Sequence, residues 1–271
     1  NLSFLICCGY LRVMRVVRTF TWKKNMNPKS HTLFHFTKSA DVLKLIMKNG
    51  FWPRYCLEDV EWLGYDGFDF IAYPMVCFCD IPLSRAQEHV KFYGEYGIGL
   101  TKEWAESNKI TPILYVSSNN NLKKTFRKIV DNTYYISDDD KKEKAKQNVR
   151  YLLAHSKPTE GNMVVAGSVV AKEFYQESEW RYVPENAIIK DYLKKTEFDD
   201  DNILKSNNEL TFQSSIIKFT PKDVKYIFVK SDSDIPEIIN FIQAELDGFP
   251  NADIKVLMSR VTSLESIQRD L

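Results

Sequence analysis

The chain has 271 residues, of which 37 are basic and 36 are acidic. A chain of this length can bury a sizeable core. Its even charge balance argues against broad, sequence-independent binding to nucleic acids, although a local basic patch is still allowed. The four histidines and five cysteines show neither CxxC nor HExxH spacing, so we expect no metal site. The cysteine usage fits a reducing, cytoplasmic environment.

Residues 1–25 differ in character from the rest of the chain. An apolar stretch over residues 1–10 is followed by Arg12, Arg15 and Arg18. The apolar part is far shorter than the roughly 20 residues of a membrane span, and in a secretory signal the basic residues would come first. We therefore expect an upstream extension that packs as an amphipathic strip, no membrane association, and a single domain over residues 26–271.

The stretch Pro74–Leu100 is the best-organised part of the chain. Met75–Cys79 is apolar and predicts a buried strand. Ser84 and Gln87 have the spacing of a capping box, which predicts a helix from Arg85 to a stop at Gly94. Tyr96–Leu100 should return as a strand, with glycines where something approaches the backbone closely. Such a unit is either one wall of a nucleotide site or a well-packed strand and helix of the core.

The elements before this stretch follow from apolar spacing and caps. Leu33–Phe36 is predicted as a short strand, followed by a helix that Thr37 or Ser39 caps and Gly50 ends. Residues 51–70 show no clear element, and we expect a loop or lid there.

The second half of the chain predicts an α+β fold on a mixed or antiparallel sheet. A helical insertion is expected at about residues 119–156, and its charged run is typical of a solvated face. Further strands are expected in five places: at 112–116, near 164, at 179–183, at 210–219 and at 224–229. Helices are expected at 234–246 and 263–271, a short strand at 254–258 and a loop at 190–208.

Two groups of aromatic and basic side chains are candidates for a site. His35 lies between Phe34 and Phe36, where a histidine is either a hydrogen-bonded core residue or a ligand-binding group. Tyr93 and Tyr96 lie close to Arg85 and His89. They either contact a ligand or cover the core with their hydroxyls hydrogen-bonded.

The third candidate group is acidic. Glu177 and Glu179 are expected on one face of a strand, beside Arg181. Two carboxylates held close together are costly to bury without a purpose. The alternative is an exposed strand edge with a Glu–Arg pair.

Read together, these segments resemble the AbiGi family of abortive phage-resistance proteins. The resemblance rests on His35-Phe36-Thr37, on the block VCFCDIPLSRAQEHVKFYGEYGIGL (residues 76–100), and on the later Glu177-x-Glu179-Trp180-Arg181. It runs from about Leu33 to the C-terminal region. Members are catalogued as the antitoxin of a two-gene abortive-infection system, which implies bacterial phage defence and a partner toxin.

A more distant resemblance is to ADP-ribosyltransferases of the His-Tyr-Glu type. It implies NAD as the substrate, with His35 and Thr37 on a ribose hydroxyl, Tyr93 or Tyr96 stacked on the nicotinamide, and Glu179 or Glu177 as the catalytic carboxylate. Arg85 is counted with the NAD-binding group. Cleavage of the nicotinamide–ribose bond builds up oxocarbenium charge, which a nearby carboxylate stabilises.

Two functions therefore follow as hypotheses. The first is an NAD-dependent ADP-ribosyltransferase-like enzyme that modifies a protein or nucleic-acid acceptor. The second is a non-catalytic antitoxin that neutralises a partner toxin. The two hypotheses differ in one geometric expectation. The enzyme requires that His35, Tyr93 or Tyr96, and the glutamates share one cleft, whereas the antitoxin expects these residues to be scattered or buried in packing.

Overall fold

The computed structural model describes residues 30–66, 69–117, 121–165 and 168–270. The extension expected over residues 1–25 lies outside them. The strands of the described residues are β1 (Thr32–Thr37), β2 (Arg54–Asp59), β3 (Phe70–Cys79), β4 (Tyr96–Thr101), β5 (Thr111–Pro112), β6 (Leu114–Val116), β7 (Ser156–Pro158), β8 (Glu160–Val165), β9 (Ser168–Glu173), β10 (Glu179–Tyr182), β11 (Leu193–Lys194), β12 (Val224–Val229) and β13 (Val261–Ser263).

Helices cover both sides of these strands. They are α1 (Ala40–Asn49), α2 (Ala86–Tyr93), α3 (Lys102–Ser107), α4 (Asn121–Tyr134), α5 (Asp139–Ala154), α6 (Lys195–Phe198), α7 (Asp201–Ser215), α8 (Ile235–Glu245), α9 (Asn251–Met258) and α10 (Leu264–Asp270). Over the described ranges, no helix combines the length and the apolar character that crossing a membrane requires.

The predicted α+β class with a mixed sheet is confirmed. In the described part of the chain, nine strands form the main sheet, in the order β13-β12-β4-β1-β3-β10-β5, with β2 and β11 also paired to β3. The β12–β13 pair is parallel and the other pairs of this sheet are antiparallel. Helices α4 and α5 lie between β6 and β7, where the sequence predicts a helical insertion.

The register of β1, β3 and β10 decides which side chains can meet. Phe34 pairs with Cys79, and Cys79 pairs with Glu179 on its other side. Directly paired residues share a face of the sheet and neighbours along a strand alternate. Glu179 therefore lies on the same face as Phe34, and His35 belongs to the opposite face. We call these the Glu179 face and the His35 face.

Each face of the sheet packs against a different set of helices. The His35 face packs against α1, α3, α8 and α9 through residues such as Leu43, Trp104 and Ile238. The Glu179 face packs at one end against α2 and α10, through Val90 and Leu264. At its other end the same face packs against α4 and α5. Strand β3 contributes side chains to all of these clusters, because its residues are buried on both sides.

The glycines of β4 serve packing within the protein. A Cβ at Gly97 would lie 2.7 Å from the ring of Phe36, and one at Gly99 would lie 2.9 Å from the ring of Phe34. What approaches the backbone here is therefore a pair of core aromatic rings on the neighbouring strand.

Caps explain the helices that the sequence located well. Ser39 accepts a hydrogen bond from the Val42 amide and caps α1, which settles the choice between Thr37 and Ser39. The capping box predicted at Ser84 does not form. Instead Leu83–Arg85 makes a 3-10 turn and α2 begins at Ala86, one residue later than predicted, without a side-chain cap.

Several predicted elements are wrong. Residues 51–70 contain β2 rather than only a loop, because pairing with β3 satisfies its backbone while most of its side chains stay half-exposed. Residues predicted as a loop at 190–208 and a strand from 210 form α6 and α7. Residues 254–258 belong to α9, where Ile254 and Leu257 are buried at helical spacing. Residues 112–116 divide between β5 and β6, which belong to different sheets.

Candidate functional site

A group of paired charges is buried where β10 begins. We call it the charged cluster, and its members are three carboxylates and three cations: Glu58, Glu177, Glu179, Lys157, Lys172 and Arg181. They come from β2, β7, β9, β10 and the 3-10 turn Phe174–Glu177. Ser178, with a φ of 44°, joins that turn to β10. Its left-handed conformation brings Glu177 and Glu179 to one place although only Glu179 lies on the strand.

Glu179 is held by Arg181 and Lys157. Arg181 is fully buried and donates from Nε to Glu179 Oε1 at 2.6 Å. Lys157 Nζ donates to Glu179 Oε2 at 3.1 Å, and Arg181 also reaches that oxygen at 3.2 Å. The remaining guanidinium N–H groups donate to the Ala154 carbonyl and to Glu58, each at 2.7 Å. Both oxygens of Glu179 are therefore occupied.

Glu177 is surrounded in the same way. Its Oε1 accepts hydrogen bonds from the Tyr93 hydroxyl and from Lys172 Nζ. Its Oε2 accepts from Lys157 Nζ at 3.3 Å. Glu177 and Glu179 are each only 4% exposed. Lys157 thus bridges the two carboxylates that the sequence predicts to be catalytic.

The electrostatics keep Glu179 and Lys157 charged at neutral pH. Burial would raise the pKa of Glu179, but Arg181 and Lys157 outweigh it and hold that pKa well below its ordinary value. Burial would lower the pKa of Lys157, yet the facing carboxylates hold it well above its usual range. Burial and the Glu177 carboxylate raise the pKa of Tyr93, so its hydroxyl stays a hydrogen-bond donor.

The ring of Tyr93 contacts a histidine and a lysine. The imidazole of His89 stacks on its ring at a centroid distance of 4.4 Å. Lys172 Nζ lies 4.4 Å from the centre of the same ring and 4.3 Å from that of Phe92. Burial lowers the pKa of His89 to about 4, so this imidazole is neutral at pH 7. The ring of Tyr93, which the sequence predicts to stack on a nicotinamide, therefore already contacts two side chains of the protein itself.

The predicted histidine lies elsewhere. His35 is on the opposite face of the sheet from Glu179, where its ring lies 5.2 Å from Phe51 and 5.7 Å from Phe78, measured between centroids. Its Nδ1 donates to the Cys77 carbonyl at 2.8 Å, and burial lowers its pKa. These are the properties of a hydrogen-bonded core histidine. Thr37, two residues further along β1, belongs to the same face.

Tyr96 and Arg85 are also outside the charged cluster. The Tyr96 hydroxyl donates to Asp234 at 3.2 Å, on the side of α8. Arg85 donates to the side chain of Gln176, beside the 3-10 turn that carries Glu177 but at its exposed side. Of the seven predicted site residues, the structure therefore brings together Tyr93, Glu177 and Glu179, and separates His35, Thr37, Tyr96 and Arg85 from them.

Two pockets in the described part of the chain are both small. A pocket of about 80 Å³ lies between the start of α2 and α10, and it is lined by Leu83, Ser84, Ala86, Gln87, Leu264, Ile267 and Gln268. A second pocket of about 10 Å³ lies near Phe249 on the other face. Sites for small molecules usually enclose roughly 300–1,000 Å³. Neither pocket is lined by a residue of the charged cluster or is large enough for a dinucleotide.

The two lysines that complete this cluster are not among the residues that the sequence predicts for a site. Lys157 lies on a three-residue strand after the helical insertion, and Lys172 lies on a hairpin strand. Neither position has a local signal. Lys157 meets Glu177 and Glu179 across 20 and 22 positions of the chain, and Lys172 meets Glu177 because the turn after β9 folds back over five positions. Among the described residues, no group of three or more His, Cys, Asp or Glu side chains could hold a metal ion.

Comparisons with known proteins point to one family. Residues 49–230 match the family model described as "Putative abortive phage resistance protein AbiGi, antitoxin". The chain is also 28% identical over 248 residues to the abortive phage resistance protein AbiGi of Lactococcus lactis subsp. cremoris, which covers 81% of this chain and 99% of that relative. No solved structure matches the chain. The likeness to the ADP-ribosyltransferase fold therefore stays a prediction.

Proposed function

The chain belongs to the AbiGi family of abortive phage resistance proteins, and from this premise we propose that it is an antitoxin that binds a partner toxin and silences it without catalysis. The family description supports the antitoxin role. One structural observation supports the absence of catalysis: all four oxygens of Glu177 and Glu179 accept hydrogen bonds from buried groups of the protein.

A carboxylate that stabilises an oxocarbenium ion must face the substrate with uncompensated charge. In this protein Arg181 and Lys157 neutralise Glu179, while Lys172 and Lys157 neutralise Glu177. A buried, fully paired network of this kind acts instead on folding, since it favours the one register in which every charge is satisfied.

The test is co-expression with the toxin of the same two-gene system. The antitoxin proposal expects the chain to restore growth to cells that express the toxin, and to co-purify with it as a stable complex. Growth rescue should survive Tyr93→Phe, which removes the hydroxyl bonded to Glu177 but keeps the ring. Rescue without any complex, or loss of rescue in this variant with its fold intact, would contradict the proposal.

A second candidate function is an NAD-dependent ADP-ribosyltransferase-like activity. The observation in its favour is that Tyr93 lies with Glu177 and Glu179, although 84 positions separate Tyr93 from Glu177. In this case Glu179 would be the catalytic carboxylate and Tyr93 the stacking aromatic. Lys157 would have to leave Glu179, and Lys172 would have to leave Tyr93, before NAD could enter.

Incubation of the pure protein with labelled NAD and a bacterial extract tests this candidate. The activity predicts nicotinamide release and label on a protein or nucleic-acid acceptor, both lost in Glu179→Gln. Circular dichroism must show that this variant is folded, because the change also removes a buried partner of Arg181. The absence of both products with wild-type protein would count against the enzyme and leave the antitoxin proposal standing.

A further inference from the structure

The helical hairpin α4–α5 carries a charge bias that the whole chain lacks. Residues 121–154 contain nine basic and five acidic residues, a formal charge of +4, whereas the full chain has a net charge of +1. The rest of the chain therefore carries −3. The hairpin is attached to the Glu179 face through the buried side chains of Phe126, Val149 and Leu153. Its other side is directed to solvent.

The outer side of α4 is basic and ends in two tyrosines. Lys124 and Lys128 are exposed and lie one helical turn apart, away from the buried Phe126. Tyr134 and Tyr135 follow at the end of the helix and are 65% and 84% exposed. Exposed aromatic rings beside cations are typical of binding surfaces, because tyrosine supplies a large contact area with little conformational entropy to lose.

This surface is held rigidly in place. The Tyr65 hydroxyl donates to Asp131 at 2.7 Å, and Arg127 lies over the Tyr65 ring at 4.9 Å. Both contacts tie the middle of α4 to the segment after β2. A surface positioned in advance loses less entropy when a partner binds.

We propose that the outer side of α4, with Lys124, Lys128, Tyr134 and Tyr135, is the surface that docks on an acidic patch of the partner toxin. The inference rests on the proposed antitoxin function and adds the place and chemistry of contact. The tyrosines supply the buried anchor of the interface, and the lysines attract the acidic partner and fix its orientation.

The charge pattern favours a protein over a nucleic acid as the occupant. Asp138, Asp139 and Asp140 are exposed at the turn next to the tyrosines. A phosphate backbone needs an uninterrupted basic track, and three carboxylates beside it would repel phosphates. A protein surface can match both signs, with acidic groups facing the lysines and a basic group facing the aspartates.

The experiment measures binding of the purified toxin to the full chain by titration calorimetry at two salt concentrations. The test variants are Lys124→Glu with Lys128→Glu, and Tyr134→Ser with Tyr135→Ser. The matched control is Lys205→Glu with Lys255→Glu, which makes the same charge change at exposed positions of α7 and α9. We expect the Kd to rise roughly tenfold or more for each test variant and about twofold or less for the control.

Each outcome has a separate meaning. If wild-type protein does not bind the toxin, the antitoxin proposal fails. If it binds and the α4 variants bind equally well, or if the control loses as much affinity, the docking surface is elsewhere and this inference is overturned. A single-stranded RNA probe that binds wild-type protein but not the Lys124/Lys128 variant would also overturn it, in favour of a nucleic-acid surface.

Discussion

Arg181 shows how one side chain connects several strands. It is fully buried, and its guanidinium donates to Glu179 on its own strand, to Glu58 on β2 and to the carbonyl of Ala154 at the end of α5. Arginine suits this role because its planar fork carries several donors in fixed directions. A shift of β10 by one residue would place this charge on the His35 face without partners.

Replacement of this arginine should therefore be severe. We expect Arg181→Met to lower the free energy of unfolding by about 3–5 kcal/mol, since it leaves the Glu179 and Glu58 carboxylates without their main partner. Urea denaturation followed by circular dichroism measures the loss. Arg269→Met, which removes an exposed pair with Glu265, is the control and should cost about 0.5 kcal/mol or less. Similar losses in the two variants would contradict the role given to the charged cluster.

Strand β4 and helix α7 show how elements depend on their surroundings. The glycines of β4 leave room for rings of β1, a requirement that comes from the neighbouring strand.

Helix α7 starts at an Asp200 cap and buries Asn207, Asn208, Thr211 and Ser215. A pattern that looks for apolar periodicity misses this helix, because its inward side is polar. Trp52 Nε1 donates to the Thr211 hydroxyl at 3.1 Å, and the Tyr55 amide of β2 donates to Asn208 Oδ1 at 3.0 Å.

The close packing of β4 gives a prediction for Gly97. Gly97→Ala would place a methyl group 2.7 Å from the buried Phe36 ring, so we expect a loss of about 1–3 kcal/mol in the free energy of unfolding. Gly248→Ala is the matched control, because no atom lies within 4 Å of its new Cβ. Chemical denaturation of both variants compares them directly. Equal stability would show that β1 and β4 can separate without cost.

At the scale of the whole molecule, β3 joins the apolar clusters on both faces, and three histidines, His35, His89 and His155, are half-buried. Burial is the main cause that lowers the pKa of His35, His89 and His155 below the ordinary 6.5. The folded protein thus keeps these imidazoles neutral at a pH where the unfolded chain protonates them. Because the unfolded state then binds more protons, acid shifts the equilibrium toward unfolding.

This linkage sets a pH window. The contribution of His89 to the free energy of unfolding should be fully present above about pH 6.5. It should fall as the pH drops toward about 4, the pKa of His89 in the folded protein. The Glu179 contribution has the same sign but is lost only below about pH 4.5, its ordinary pKa. His89→Phe keeps a ring on Tyr93 and removes one titrating group, so the fall between pH 6.5 and 4 should shrink by up to about 3 kcal/mol. Urea midpoints measured across this range provide the test, and an unchanged pH profile in the variant would contradict it.

The sequence by itself determined the elements that local rules specify. Caps, apolar spacing and helix stops located β1, α1, β4 and α8, and motif resemblance identified the family. It also grouped Tyr93, Glu177 and Glu179, but together with His35, Thr37, Tyr96 and Arg85 and without the lysines. These signals act over a few residues of the chain, so they can be read without the fold.

Only the tertiary structure decided what those side chains do. Arg181 and Glu58 are 123 positions apart, and Tyr93 and Glu177 are 84 apart, so no local pattern links them. The register of β1 on β3 placed His35 on the opposite face from Glu179, and tertiary packing brought Lys157 of β7 onto both glutamates. Whether a buried carboxylate faces a substrate or a lysine depends on which strands meet, and strand pairing is a non-local property of the whole chain.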